Sequence, residues 1–408
     1  MIGKLLDWAV HNRVVVVLIG LALAAMGVYA FIRVNVEAYP DPAPAIVEVV
    51  AQFPGASAEE IERLVTIPLE IGLAGMPGLK YTRTKSLFGL AHVRNQFAYG
   101  VDFVAARQEV LNRLASVELP KGVTAQISPA SPIGEIYRYT LSGPKDALGR
   151  DIYTLNDLKA FQDWTLEREL LRVPRIAGVV SAGGTVKRYE IRPDPDRLKE
   201  YGITLQQLEE AIANSNANVG GDYVVQGGNV QVVRGIGLIG GGEDPMVVAR
   251  GMSDPVQAAA YLRSEENRRI QEIRKIVIDS TNNVPIRVEH VVEGGPLRPG
   301  QPVGKRGVVI GYQTRQGQMS LTYPKLDEQG REVLNADGSR VLINEDDKVQ
   351  GIVLLRKGEQ SLPALQAVRE KIDELNDTPG RLLPGTKIEP YYNRSALIDV
   401  TTETVRKN

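Results

Sequence analysis

The 408-residue chain contains no cysteine, three histidines (His11, His92 and His290) and six methionines (Met1, Met26, Met76, Met246, Met252 and Met319). No disulfide can staple it, and no thiolate can serve as nucleophile or metal ligand. The histidines show no paired spacing and the methionines no cluster, so no metal ligand is singled out on side-chain chemistry. A charge excess is missing too. There are 48 Lys+Arg against 49 Asp+Glu, a net charge of −1, with no basic stripe interleaved with aromatics, which excludes a nucleic-acid binder. The sequence has no Walker A motif and no Ser/His/Asp order or carboxylate pair that stands out from ordinary surface charge. Accordingly no catalytic and no cofactor-binding residue is assigned, no cofactor is expected, and the chain is not read as an enzyme. The lack of cysteine fits a chain that sits outside the cytoplasm.

Long apolar runs are scarce as well. There is one, Val14–Ile32 (VVVVLIGLALAAMGVYAFI), between Arg13 and Arg33. As a helix it would be ~28 Å long, close to the hydrocarbon thickness of a bilayer. Ala22-Leu23-Ala24 offers a small-x-small cleavage site, but the run exceeds a signal-peptide core and continues past that site, so a retained membrane helix is expected. Lys4 and Arg13 precede it, while Arg33 is soon followed by Glu37 and Asp41. That bias puts the N-terminus in the cytoplasm and the bulk of the chain across the membrane. Ile2, Leu5, Leu6 and Ala9 share one helical face and suggest an interfacial helix before the span.

After an extended, proline-stiffened exit (34–42), the remaining pattern alternates strands and helices. A strand over 46–53 ends at Pro54-Gly55. Ser57-Ala58-Glu59-Glu60 is a capping box opening a helix whose apolar residues are Ile61, Leu64, Val65 and Ile71, with a kink expected at Pro68. Strands follow over 79–87 and 90–97, joined at Gly89. Asp102 caps a second helix with inner face Ala106, Val110, Leu111 and Leu114, and 123–127 makes a last strand. This βαββαβ order is the split-βαβ, ferredoxin-like unit. It begins again with a strand at 135–141, a helix at 155–171 and a strand at 178–182. The matching pieces lie far downstream: a strand at 349–355, a helix at 361–375 and a strand at 386–389. A Leu-Pro-(Lys)-Gly break precedes the last strand in both copies, which points to an internal duplication with the second copy interrupted.

The interruption opens with a strand at 188–192, helices at 196–201 and 205–215, a polar glycine-rich loop at 217–228 and a strand at 230–233. A charged helix at 254–276 follows, carrying Arg263, Arg268, Arg269, Arg274 and Lys275 on an expected solvated face. An excursion over 313–347 has a hairpin tip at 335–339. Gly235-Ile236-Gly237-Leu238-Ile239-Gly240 matches G-x-G-x-x-G, but Gly241-Gly242-Glu243-Asp244-Pro245 follows where a dinucleotide site needs a helix. The fold class is therefore α+β: one N-terminal membrane helix, then two ferredoxin-like βαββαβ subdomains, the second interrupted by an α+β insertion.

Several stretches resemble one family. Phe53–Glu62, Val65–Glu70, Gly75–Leu79, Gly100–Arg107 and Leu119–Val123 look like the first porter subdomain of RND (resistance–nodulation–division) efflux transporters. Gly134–Tyr139 resembles the start of the second porter subdomain in the heavy-metal branch, and Asn218–Tyr223 with Val233–Ile239 its docking-domain loop and strand. Tyr391-Tyr392-Asn393-Arg394-Ser395 is similar to the family's Tyr-Asp-Arg-Ser approach to a second membrane helix, with Asn393 where Asp is usual. The resemblance implies an interfacial and membrane segment at 1–33 and a first porter subdomain at 34–134. The second porter subdomain would take 135–186 and 285–395, the docking insertion 187–284, and the approach to a further membrane helix 396–408. It also implies a proton-driven homotrimer in the bacterial inner membrane that works with a periplasmic adaptor and an outer-membrane channel, on transition-metal cations or small toxic compounds. The chain matches about the first two-fifths of such a protein, and the family's proton-relay carboxylates have no counterpart in it. Substrate-cleft side chains are not assigned. A non-transporting, membrane-anchored periplasmic binding or adaptor-like module is the alternative.

Overall fold

Strand alternation and helix capping build this chain into two units: Met1–Ile133 with Lys357–Pro363 and Arg394–Asn408, and Gly134–Arg356 with Ala364–Asn393. The computed structural model describes residues 8, 10–32, 44–128, 134–312, 318–325, 327, 329, 331–395, 400, 403 and 404. The expected interfacial face at Ile2–Ala9, the exit at 34–42 and nearly all of 396–408 lie outside the described residues.

The apolar run forms one helix, α1 (Arg13–Ile32), with its described side chains almost all exposed. Among the described residues no helix is long and apolar enough to cross a membrane. The side chains at Val28 and Ala30–Ile32 are not among those described, so the expected membrane span is not part of what the structure shows.

The first unit then runs β1 (Ile46–Gln52), helix α2, β2 (Leu79–Leu87), β3 (Leu90–Phe97), α3 (Phe103–Leu114) and β4 (Thr124–Ile127). Helix α2 is made of Ala58–Ile61, a π turn Glu62–Thr66 and Ile67–Leu73 in succession. The sheet order is β2-β3-β1-β4, antiparallel throughout. Ser57 and Glu60 close the expected capping box, and Asp102 caps α3 through the Ala105 amide. The interruption in α2 is a π turn that ends before Pro68, the residue at which a kink was expected. That turn spaces the buried apolar residues four apart (Ile61, Val65, Leu69, Leu73) instead of at the 3.6 period, with Thr66 buried beside them. Leu64 and Ile71, expected inside, are consequently 47% and 72% exposed. Leu111, expected on the inner face of α3, is likewise exposed, while Ala106 and Val110 are buried.

The second unit repeats the plan with β5 (Glu135–Ser142), helix α4 and β6 (Ile176–Ala182). Helix α4 runs Leu155–Phe161, a π turn Gln162–Leu166 and Glu167–Leu171, behind a capping box of Thr154 and Asp157. No proline accompanies this π turn, so proline is not what causes it. Gly183 and Gly184, at φ 70° and 67°, turn the chain out of the sheet. A Cβ at Gly183 would overlap the Lys348 carbonyl oxygen, so only glycine fits that exit.

The interrupting segment holds β7 (Lys187–Ile191), α5 (Pro195–Tyr201), α6 (Leu205–Ser215), β8 (Val219–Gln226), β9 (Asn229–Gly235), α7 (Pro245–Arg250) and α8 (Pro255–Arg274). It continues with β10 (Val277–Thr281), β11 (Val284–Arg287), α9 (Val288–Val291), β12 (Val308–Tyr312), β13 (Leu321–Pro324) and β14 (Leu342–Glu345). The unit closes with β15 (Val349–Leu355), α10 (Ser361–Asp377) and β16 (Lys387–Asn393). The order β16-β5-β15-β6 is that of the first sheet with each strand replaced by its counterpart. Strand β7 pairs with β12, and one apolar cluster joins Ile203, Leu208, Ile270, Ile273, Val288 and Val308.

Three expectations change here. Within the stretch 217–228, read as a loop, Val219–Gln226 forms strand β8, because Val219, Tyr223, Val224 and Val225 pair along β9. The last strand reaches Asn393, pairing with β5 across a register shift between Pro390 and Tyr392. Arg274, placed on a solvated face, is 2% exposed and donates to the carbonyls of Arg306 and Gly295.

Candidate functional site

The two repeated sheets each have one face against helices and one face turned away, and the faces turned away are where a cleft lining would be sought. In the first sheet the helix-facing set is fixed by Val47, Val49, Val93 and Asn95, all buried. Thr84 on β2 confirms the phase by donating to Glu70 of α2. The alternate residues therefore share the outer face. The register sets Arg83 opposite Arg94, with Glu48 beyond it, and Lys85 opposite His92, with Val50 beyond it. Glu48 reaches Arg94 and His92, each at 3.5 Å. Tyr81 donates to Gln96 on the next row.

The outer face of the second sheet is covered in part: Val180 is 38% exposed, and Lys387 and Glu389 are exposed at its edge. Thr140, Gln350 and Leu354 lie on it, yet each is at most 5% exposed. Lys348 donates to Ser142 at 3.3 Å and pairs with Glu345 at 3.0 Å, while Ser142 donates to Glu389. The hydroxyl of Tyr323 on β13 is pushed up by burial and by the charges of Glu345 and Glu389. The β13–β14 excursion thus sits beside this face.

Polar groups also enter the helix side of the second sheet. Tyr139, wholly buried, donates to Gln162 Oε1 at 2.9 Å, and Gln162 Nε2 has no partner. Burial drives the Tyr139 hydroxyl far above its ordinary range. Lys159 donates to Asp163 at 3.1 Å and Ser181 at 2.6 Å. Lys187, at the start of β7, joins Asp157 of α4 at 2.8 Å and Glu266 of α8. Burial alone would lower the Lys187 ammonium, but the two carboxylates outweigh it and hold it above 10.5.

The glycine fingerprint is filled from within. The amides of Gly237 and Leu238 donate to Asn218, that of Ile239 to Asn216, and that of Gly240 to Glu272 at 2.6 Å. These are the donors a pyrophosphate would need, so the motif is a turn and not a nucleotide cradle. The hairpin leading into it, β8–β9, stands out from its unit: all of β8 is exposed, including Val219, Tyr223 and Val225. Such an exposed apolar arm has the composition of an assembly contact. Among the described residues no group of three or more His, Asp or Glu could hold a metal ion.

No site residue had been named from sequence, so the structure adds those it brings together: Arg83, Lys85, Arg94, His92 and Glu48 on one sheet face, and Asn216, Asn218 and Glu272 around the glycines. The hairpin register of β2 and β3 about Phe88-Gly89 would have placed Arg83 beside Arg94, had it been counted.

A family model described as AcrB/AcrD/AcrF matches residues 5–294. The chain is 30% identical over 413 residues to the cation efflux system protein CzcA of Alcaligenes sp. (strain CT14), covering 100% of this chain and 32% of that protein. It is 30% identical over 403 residues to the cation efflux system protein CusA of Escherichia coli (strain K12), covering 98% of this chain and 32% of that protein. A crystal structure of a heavy metal efflux pump superposes with TM-score 0.70 at 29% identity, covering 99% of this chain and 34% of the other. The chain thus spans about a third of the length of the curated relatives it matches, less than the two-fifths expected. With the family match running through most of its residues and the same fold beneath it, the chain belongs to the AcrB/AcrD/AcrF family, as an N-terminal portion of an RND efflux transporter resembling the heavy-metal pumps.

Proposed function

We propose that this chain is the membrane-anchored porter and docking portion of a proton-driven efflux permease that exports transition-metal cations or small toxic compounds. The observation that carries the reading is the duplicated sheet, its second copy opened between β6 and β15 by a segment bearing an exposed arm, along a chain similar end to end to metal efflux proteins. In this reading α1 anchors the chain in the inner membrane with the N-terminus cytoplasmic, and both ferredoxin-like sheets lie in the periplasm. The first porter subdomain is 34–134. The second takes 135–186 and 285–395 around a docking insertion at 187–284, whose strand β7 pairs with β12. The β8–β9 arm contacts neighbouring protomers of a homotrimer, and the docking insertion faces a periplasmic adaptor and an outer-membrane channel. No proton-relay carboxylate is assigned within these residues.

The test is metal accumulation in an efflux-deficient bacterium expressing the uninterrupted reading frame that contains this chain. We expect lowered cell content of at least one of zinc, cobalt, cadmium, nickel, copper or silver, restored by a protonophore. Unchanged content for every metal would reject metal transport and favour the binding or adaptor-like module. Topology has a direct readout, since the chain lacks cysteine. Leu148→Cys, exposed on its loop, is expected to react with a membrane-impermeant maleimide in intact spheroplasts. Reaction only after lysis would reverse the orientation.

A further inference from the structure

The outer face of the first sheet is held in an arrangement that costs the sheet stability. In an antiparallel pair, residues directly opposite interact most strongly, and like charges there are unfavourable. Arg83 lies directly opposite Arg94, a like-charge pair, and Lys85 lies opposite His92 beside it. Three full positive charges therefore share this face with one carboxylate, Glu48, which Arg94 and His92 already divide between them. Among the described residues neither Arg83 nor Lys85 has a hydrogen bond or ion pair, and both are exposed. Threonine or valine at either position would suit a strand better.

Apolar groups are set among these charges: Leu87 is 51% and Tyr81 47% exposed on the same face, with Val50 and Leu90 half-buried beside them. Arginine, tyrosine and aliphatic groups mixed in this way fit a folded protein surface better than a phosphate backbone or a free anion. On the counterpart face of the second sheet Arg138 is paired with Glu135, and Lys387 shares its edge with Glu389, so the excess of positive charge is not a property of the fold. We infer that the outer face of the β2-β3-β1-β4 sheet docks an acidic protein surface, with Arg83 and Lys85 as the charges left unpaired for it. A free metal cation is disfavoured on this face by the same charges. The inference stands independently of the transport reading.

The test uses the full chain in detergent and a labelled twenty-residue poly-L-glutamate as probe, read by fluorescence anisotropy. Arg83→Thr with Lys85→Thr is expected to weaken binding about tenfold, and rising salt to weaken the unmodified chain. Lys121→Gln with Lys199→Gln removes equal charge at exposed positions elsewhere and is expected to change binding less than about twofold. Equal losses in the two double variants would mean bulk attraction and would overturn the proposal, as would no loss in the first. Displacement of the probe by inorganic phosphate beyond that by chloride at equal ionic strength would make this a small-anion site. Tighter binding of a twenty-nucleotide single-stranded DNA, lost in the same variant, would make it a nucleic-acid face. Either result overturns an acidic protein partner. A separate readout guards the premise: Arg83→Thr alone is expected to raise the melting temperature, and a fall would remove the argument from like charges.

Discussion

The two βαββαβ sheets share strand order, a capping box and a π turn in their first helix, yet they differ in where they keep polar groups. In the first, α2 presents Ile61, Val65, Leu69 and Leu73 inward, and the charges sit on the outer face of the sheet. In the second, the four-residue spacing gives Leu158, Gln162, Leu166 and Leu170, so one apolar position becomes an amide that meets Tyr139. Asp157 and Lys159 follow it inside. The second copy must hold an insertion of well over a hundred residues, and it does so with charge. Lys187, just beyond the Gly183-Gly184 exit, is gripped by Asp157 from the sheet's own helix and by Glu266 from the insertion. The lesson is that one backbone plan tolerates two energetic solutions, and that the polar one appears where chain enters and leaves.

The sharpest way to break this comparison is to remove Lys187. Lys187→Met leaves two carboxylates facing each other, 6% and 23% exposed, and should cost about 3 kcal/mol. Hydrogen exchange read by mass spectrometry should show the loss in the second unit alone. Alkaline pH should act on the same unit. The Lys187 ammonium is raised above 10.5, so its contribution is complete below the unfolded value and disappears as pH climbs through the higher folded one. Burial likewise raises the Tyr137 hydroxyl to about 12, offset in part by Arg369 and aided by Asp373. Its contribution is complete below pH 10 and is lost between about 10 and 12. Exchange at pH 11 should therefore loosen the second unit before the first; equal loosening would contradict the assigned difference.

Packing gives the next effect. A Cβ at Gly351 would overlap the Tyr139 ring, so Gly351→Ala should destabilise the second unit by about 2 kcal/mol. A denaturant midpoint followed through Trp164, which lies on α4, reads it. Smaller still is the buried hydroxyl. Tyr139→Phe leaves the Gln162 carbonyl without its donor and should cost about 1–2 kcal/mol. Combining it with Gln162→Leu, which restores the apolar spacing of α2, should recover most of that loss in a double-mutant cycle. The smallest changes are at the caps. Ser57→Ala should cost about 1 kcal/mol. Thr154→Ala should cost somewhat more, because Thr154 also donates to Asp157 at 2.7 Å. Equal values from exchange in the two helices would show that this extra bond contributes nothing.

Much of the fold was legible in the residues. The capping box at Ser57, the strands bracketing Gly89 and the downstream return of the second copy all follow from local chemistry, where a side chain bonds its own backbone or alternates across a pleat. The misreadings share a cause. Leu64 and Ile71 were placed by a 3.6 period that a π turn replaces, and nothing in the side chains announces that turn. Strand β8 was hidden because its glycines and exposed position remove the apolar alternation by which strands are recognised. Arg274 was read with its charged neighbours, although its partners are carbonyls of Gly295 and Arg306, distant in sequence.

The sequence by itself determined most of the repeated elements, the duplication and the family, because each rests on bonds and periodicities within a few tens of residues or on motifs read in line. Only the tertiary structure decided which charges became neighbours. Composition shows a balanced chain without a basic stripe, and the basic face exists because cross-strand register sets Arg83 against Arg94 and Lys85 against His92. Register is a relation between strands, fixed by which faces are buried, and a linear reading of charge does not contain it.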